Sequence, residues 1–187
     1  MNRLALKATY FYAWLRNRKA RRYFGNDVLD IGCGRGMTIA FLPPSTSYIG
    51  IDVSLPAIER LRGLYPDHEF IQHDVDGGFP PGLGDFDTII MLAVIEHLSA
   101  PGYVLEQCGE HLRPGGHLVI TTPTPSGERL HGLLQRLSLA NPGTDQSHQH
   151  IYTCDELADL VRSRGLTVTA FKRFEFGSNQ LMVARRA

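Results

Sequence analysis

Val28-Leu29-Asp30-Ile31-Gly32-Cys33-Gly34-Arg35-Gly36 is the stretch from which the rest of the chain is read. The run from Val28 to Ile31 has the apolar character and length of a buried strand. Three alternate glycines follow, and they permit a tight turn with no Cβ between backbone and ligand before a helix begins near Met37. Such a turn marks a nucleotide-type cofactor site. Pyrophosphate-binding dinucleotide folds use G-x-G-x-x-G, whose third glycine falls one residue later than Gly36, so the G-x-G-x-G spacing speaks against a nicotinamide enzyme.

Four further strand ends follow in order. Tyr48-Ile49-Gly50-Ile51-Asp52 closes on a carboxylate 20 residues after Gly32, the place of a ribose-binding acid in a βαβ unit, with Val53 next to it. His68-Glu69-Phe70-Ile71-Gln72 leads to Asp74 and Val75, Phe86 to Met91 leads to Leu92 and then to Glu96-His97, and His117 to Thr122 follows Pro114-Gly115-Gly116. By residue type alone, Asp52 also suits a turn before a helix capped by Ser54, and Asp74 sits in the ordinary turn chemistry of Asp76-Gly77-Gly78.

This order and spacing, over roughly residues 27 to 122, resembles the class I S-adenosylmethionine-dependent methyltransferases of the small-molecule type. The resemblance implies S-adenosyl-L-methionine as cofactor and S-adenosyl-L-homocysteine as product. It implies a cofactor site of Asp30, Gly32, Gly34, Gly36, Asp52, Val53, Asp74, Val75, Met91 and Leu92, with Asp52 on the ribose and Asp74 on the adenine amino group.

The expected fold is α/β, a Rossmann-like doubly wound, mostly parallel seven-stranded sheet with a C-terminal antiparallel hairpin strand. Helices are expected at Thr38 to Phe41, Pro56 to Leu64, Gly102 to His111 and Cys154 to Arg164, the last opened by a Thr153/Glu156 capping box. Two final strands, Thr167 to Phe176 and Gln180 to Arg185, are joined by Gly177-Ser178-Asn179 as a hairpin. Between the third and fourth strands, Asp76 to Gly84 holds too much glycine and proline for a helix, so a loop is expected there.

The 187 residues, 43% of them hydrophobic and 20% charged, suit a single domain, 1-187, and need no second one. Lysine plus arginine balance aspartate plus glutamate at 19 each, so no net charge draws the chain to nucleic acid or membrane. Cys33, Cys108 and Cys154 are an odd set without C-x-x-C spacing, which points to a reducing cytoplasm rather than a disulfide framework. No apolar window approaches membrane-spanning length, and Arg3 and Lys7 interrupt the N-terminal apolar stretch. Oligomeric state is not readable from one chain.

Two regions fall outside this scaffold and are assigned to the methyl acceptor. Residues 1-24 form a basic and aromatic arm: Arg3, Lys7, Arg16, Arg18, Lys19, Arg21 and Arg22 are interleaved with Tyr10, Phe11, Tyr12, Trp14, Tyr23 and Phe24, and residues 3 to 24 contain no acid. It reads as a lid helix with its aromatic face over the cleft and its arginines in water; RNA or an anionic membrane surface is the other use of such a composition. Residues 123-152 read as a substrate-cap insertion, with a helix over Arg129 to Leu137. Tyr12, Trp14, His148 and His150 are the candidate acceptor-binding residues. His148 and His150 with Asp145 lack further well-spaced ligands, and no metal is expected.

Alignment supplies much of the rate of methyl transfer, so few catalytic side chains are needed. His97 is the candidate general base for an acceptor hydroxyl and Glu96 its orienting partner; the same pair also reads simply as the start of a helix. The stretch is also similar to the E-x-x-E-H metal segment of small-RNA 3′-terminal 2′-O-methyltransferases, but Ala93 stands where the first acid belongs. An RNA 2′-O-methyltransferase is therefore the alternative, and a non-catalytic cofactor-binding partner subunit is the alternative of another class.

Overall fold

The computed structural model describes residues 3–129 and 149–186, with side chains described from Tyr10 onward. Seven strands form one sheet in the order β3-β2-β1-β4-β5-β7-β6. They are β1 (Asp27–Ile31), β2 (Ser47–Asp52), β3 (Glu69–Gln72), β4 (Phe86–Leu92), β5 (Leu112–Pro123), β6 (Leu166–Phe174) and β7 (Asn179–Arg186). All neighbours run parallel except β7, which is antiparallel to both β5 and β6.

The order dictates where a ligand goes. From β1 the chain steps outward to β2 and β3, then returns to lay β4 on the other side of β1. The crossovers part between β1 and β4, which leaves a crevice beyond the carboxyl ends of these strands. At the opposite end, Arg113 grips Asp27 (2.6 Å) and Asp87 (2.8 Å), tying together the segments that open β1 and β4. Asp87 also accepts from the backbone N–H groups of Asn26 and Asp27.

Both faces of the sheet are covered. On one side, α3 (Pro101–His111) and α4 (Cys154–Arg162) bury Val104, Leu105, Cys108, Leu157 and Val161 against Ile89, Leu118 and Ile120. On the other, α2 (Leu55–Leu64) buries Ile58 and Leu61 with Ala20, the last residue of α1 (Arg3–Ala20), against Val28, Ile90 and Val119. The caps are those the sequence predicts. Ser54 Oγ accepts from Ala57 N at the start of α2, and Thr153 and Glu156 form the reciprocal capping box of α4.

Several expectations are modified. The helix after the glycine loop is a short 3-10 turn, Met37–Phe41. Only a second 3-10 turn, Val75–Gly77, stands between β3 and β4, as the glycine and proline content of that loop requires. β6 ends at Phe174 rather than Phe176, because Glu175 and Phe176 take left-handed backbone (φ 54° and 55°) to turn the chain into β7. A helical turn over residues 125–129 begins before the Arg129-to-Leu137 segment read as helix, most of which lies outside the described residues. Among the described residues no helix is long and apolar enough to cross a membrane.

Candidate cofactor and acceptor site

The glycine loop leaves β1 at the crevice, and its glycines do different work. A Cβ on Gly32 (φ 72°) would meet Val94 Cγ2 at 2.4 Å, so Gly32 makes room for the segment that follows β4. Gly36 similarly clears Leu61 of α2. Gly34 (φ 49°) has no such neighbour, since a Cβ there would find only Gly32 O at 3.8 Å and Asp52 Oδ2 at 3.9 Å. Its bare backbone faces open space beside a carboxylate, a cradle that a side chain would fill.

Asp52 joins the two strand ends. Its Oδ2 accepts from Gly34 N (2.8 Å) and its Oδ1 from Ser54 N (2.9 Å), which fixes the carboxylate at the end of β2 while lone pairs remain for ligand hydroxyls. Val53 beside it is exposed. Asp30 lies deeper, 2% exposed, and accepts from Tyr48 Oη at 2.8 Å. Burial pushes its carboxyl up to about 6 with a further push from Asp52, against the opposing hydrogen bonds of Thr38 and Tyr48. Asp30 thus acts from beneath the loop rather than from its open surface.

The other predicted cofactor residues divide between core and rim. Asp74 is exposed and caps its own turn, with Oδ1 accepting from Asp76 N, as turn chemistry predicts. Val75 and Met91 are buried in the core, while Leu92 is half-buried at the end of β4. After Leu92 the chain turns sharply through Ala93, a non-glycine residue at φ 62° whose N–H donates to Thr121 O. The turn delivers Glu96, 1% exposed, and His97, half-buried, into the 3-10 helix Ile95–His97.

The backbone returns to this point ahead of α4, since Gln149 N and His150 N both donate to Glu96 O (2.8 and 3.3 Å). His150 is exposed and meets Tyr152 edge to face at 4.4 Å. His148 lies outside the described residues.

The arm is a helix whose aromatics are exposed rather than turned inward as expected, while Arg18, Arg21 and Arg22 are exposed as expected. Tyr10, Phe11, Tyr12 and Trp14 are exposed, whereas Asn17 is buried and Arg16 half-buried. Burial lowers the Arg16 guanidinium from its ordinary value, and the charges of Glu175 and Glu96 raise it again. Burial raises the Glu175 carboxyl, opposed by Arg16 and by the hydrogen bond from Asn179, and it raises the Tyr152 hydroxyl, with Glu96 adding to the rise. The charges of Glu96 and Glu175 thus bear on Arg16, and that of Glu96 on Tyr152, although these residues come from four separate segments. Sequence reasoning missed Arg16, Tyr152 and Glu175 as a group, since no spacing links them. The middle of the arm meets the glycine loop where Arg35 Nη1 donates to Tyr10 Oη at 3.0 Å.

Two open clefts of about 260 Å³ lie away from the glycine loop. One, between Arg22 and His117, is at the amino ends of β4 and β5, the wrong end of a parallel sheet for a ligand. The other is lined by Thr124, Ser126, Arg129, Thr153, Cys154, Arg173 and Gln180, at the end of β5 and the start of α4. Among the described residues no cluster of three or more metal-ligating side chains is found.

Residues 5–170 match the family model described as "Methyltransferase domain". The chain belongs to this family. The cofactor that a methyltransferase of this type implies is S-adenosylmethionine, and the bare Gly34 backbone beside the fixed Asp52 carboxylate fits such a group. A Mycolicibacterium smegmatis protein named "Probable S-adenosylmethionine-dependent methyltransferase" is 28% identical over 81% of this chain and 56% of its own length. The ubiquinone biosynthesis O-methyltransferase of Cronobacter sakazakii is 28% identical over 56% of this chain and 45% of its own. The chain thus spans about half the length of these curated relatives. In fold it is similar to a chain from the Haloferax volcanii complex between the Trm112 methyltransferase activator and a methyltransferase, with TM-score 0.78 and 16% identity over 96% of this chain and 92% of that one.

Proposed function

We propose that this methyltransferase moves a methyl group from S-adenosylmethionine to an oxygen, nitrogen or carbon of a small molecule, leaving S-adenosylhomocysteine. The observation that carries the reading is the Asp52 carboxylate, held by Gly34 N–H and Ser54 N–H beside an open backbone cradle at the switch point of the sheet. In this reading Gly34 and Asp52, with Val53, Asp74, Val75 and Leu92 around them, hold the cofactor. Gly32, Gly36, Asp30 and Met91 keep that surface in shape. When bound, the cofactor supplies an electrophilic sulfonium methyl.

The chain's own task is alignment, exclusion of water and handling of the acceptor proton. His97, just past the end of β4, takes the proton of an acceptor hydroxyl, and Glu96 orients the segment through the contacts of its backbone carbonyl. Residues 1-24 act as a lid and 123-152 as an acceptor cap within one domain, with His148 and His150 on the acceptor side. The cleft lined by Arg129, Arg173 and Thr124 adds a second acceptor-side surface. Support for a small acceptor comes from relatives named for ubiquinone O-methylation. The free cysteines suit a cytoplasmic setting.

RNA methylation is the second reading, favoured by the acid-free arm and weakened by Ala93 in the place of a metal-binding acid. The experiment is transfer of labelled methyl from S-adenosylmethionine into a cell extract by the purified chain, followed by separation of products. Label in the low-mass fraction is the expected result. Label in RNA replaces this reading with the second one, and cofactor binding without any transfer leaves a partner subunit instead.

A further inference from the structure

Residues 123-152 leave the sheet and return to it beside the cleft of about 260 Å³ at the end of β5. One wall is the segment from Thr124 to Arg129, the other is Thr153 and Cys154 at the opening of α4, and Arg173 and Gln180 come from β6 and β7. Gln180 is 1% exposed, and its Nε2 donates to Tyr152 O (2.6 Å) and Pro123 O (3.4 Å), so one buried amide ties both ends of the segment to β7. Thr124 Oγ1 donates to Gly177 O (2.7 Å), and a Cβ on Gly127 would strike Ser178 O, so the first wall is pinned to the β6–β7 turn. The cleft is thus held in shape by the fold.

Its charges are one-sided. Gln180 stands opposite both Thr122 of β5 and Arg173 of β6, so these three side chains share the sheet face that α4 covers. Arg129 and Arg173 are exposed and, among the described residues, neither forms an ion pair, whereas Arg113, Arg162 and Arg164 each meet a carboxylate. No acid lines the cleft. Of the two acids that open α4, Glu156 is turned back on Thr153, whose N and Oγ1 both donate to its carboxylate, and Asp155 is exposed outside the lining.

We infer that this cleft seats an anionic group of the methyl acceptor, a carboxylate or a phosphate. Guanidinium suits both, since its planar fork donates two parallel hydrogen bonds to one such group, and bonds between ions are stronger than those between neutral partners. The carboxylate of the cofactor itself is the poorer occupant, because the cleft lies away from the glycine loop and Asp52. Its place between the two ends of residues 123-152 puts it on the acceptor side. The identity of the ligand as the methyl acceptor rests on the small-acceptor reading above; anion binding by the cleft does not.

Calorimetric titration of the full chain with benzoate and with inorganic phosphate, at an ionic strength held constant with chloride, tests the cleft without any methyl transfer. At least one of the two is expected to bind at a single site, and the tighter one tells carboxylate from phosphate. Arg129→Gln and Arg173→Gln should each weaken that binding about tenfold. Melting temperature and S-adenosylmethionine affinity should hold in both, since these side chains are exposed. Arg162→Gln, which removes an arginine of α4 outside the lining, should leave anion binding unchanged. No heat beyond the chloride control with either anion, undiminished binding in Arg129→Gln and Arg173→Gln, or an equal loss in Arg162→Gln overturns the inference. In the labelled extract the product should be retained by an anion exchanger at neutral pH, and a labelled product that passes through overturns the assignment to the acceptor. Anion binding without methyl transfer upholds the cleft and overturns the methyl-transfer reading instead.

Discussion

The glycine-loop end of the sheet and the surroundings of Glu96 are built by opposite means. At the cofactor end, consecutive residues at strand ends present backbone to the crevice, and one carboxylate, Asp52, locks two adjacent strand ends through N–H donors. Around Glu96, the groups whose charges bear on one another, Arg16, Glu96, Tyr152 and Glu175, come from four segments remote in sequence. A fold shared across many enzymes keeps the first arrangement and leaves the second free to vary.

The sharpest way to break this contrast is to fill the cradle. Gly34→Leu should abolish measurable S-adenosylmethionine binding in a calorimetric titration. The left-handed backbone should cost the fold only about 1–2 kcal/mol, because no atom lies closer than 3.8 Å to the new Cβ. Gly32→Ala should do the reverse and first destabilise the fold, by about 1–3 kcal/mol, because its Cβ would strike Val94 at 2.4 Å. Equal loss of stability in the two variants would erase the distinction between ligand-facing and packing glycines.

Asp30 sharpens the contrast through pH. Its native value of about 6 lies above the ordinary 3.8, so the folded state holds the proton longer than the unfolded chain. The stability this group contributes is complete below about pH 4 and is lost as pH rises through about 6, an effect of about 3 kcal/mol. Denaturant titrations between pH 4 and 8 should show that fall, and Asp30→Asn should flatten it. A fall of the same size in the variant would assign it to another group.

At the acceptor end, His97→Ala should lower turnover about a hundredfold with S-adenosylmethionine affinity held within about twofold. An unchanged rate removes His97 as the base. The smallest effect concerns the helix that the cap leads into: Thr153→Ala loses the capping box of α4 and should cost about 1 kcal/mol in chemical denaturation, with little change in cofactor affinity.

The cofactor end was legible in the sequence because its determinants are local: an apolar run, glycines at fixed spacing, and an acid at the next strand end. The loop in place of a helix after β3 and the final antiparallel strand were legible for the same reason, since glycine, proline and a three-residue turn act where they stand. The partial burial of Arg16 was not. Nothing distinguishes it from the six other basic residues of the arm until the fold brings it within range of the Glu175 and Glu96 charges. Nor does any local signal mark Phe176 as the end of a strand, because the turn it sits in is fastened at Gly177 O by Thr124 and Ser126, about fifty residues earlier.

The central claim is that the Gly34 cradle and Asp52 form an S-adenosylmethionine site, and calorimetric titration of the wild-type chain with S-adenosylmethionine and with NAD tests it most directly. The account predicts one S-adenosylmethionine bound per chain, no measurable NAD binding, and loss of the S-adenosylmethionine signal in Gly34→Leu at near-native stability. Preference for NAD, or undiminished S-adenosylmethionine affinity in Gly34→Leu, would contradict it.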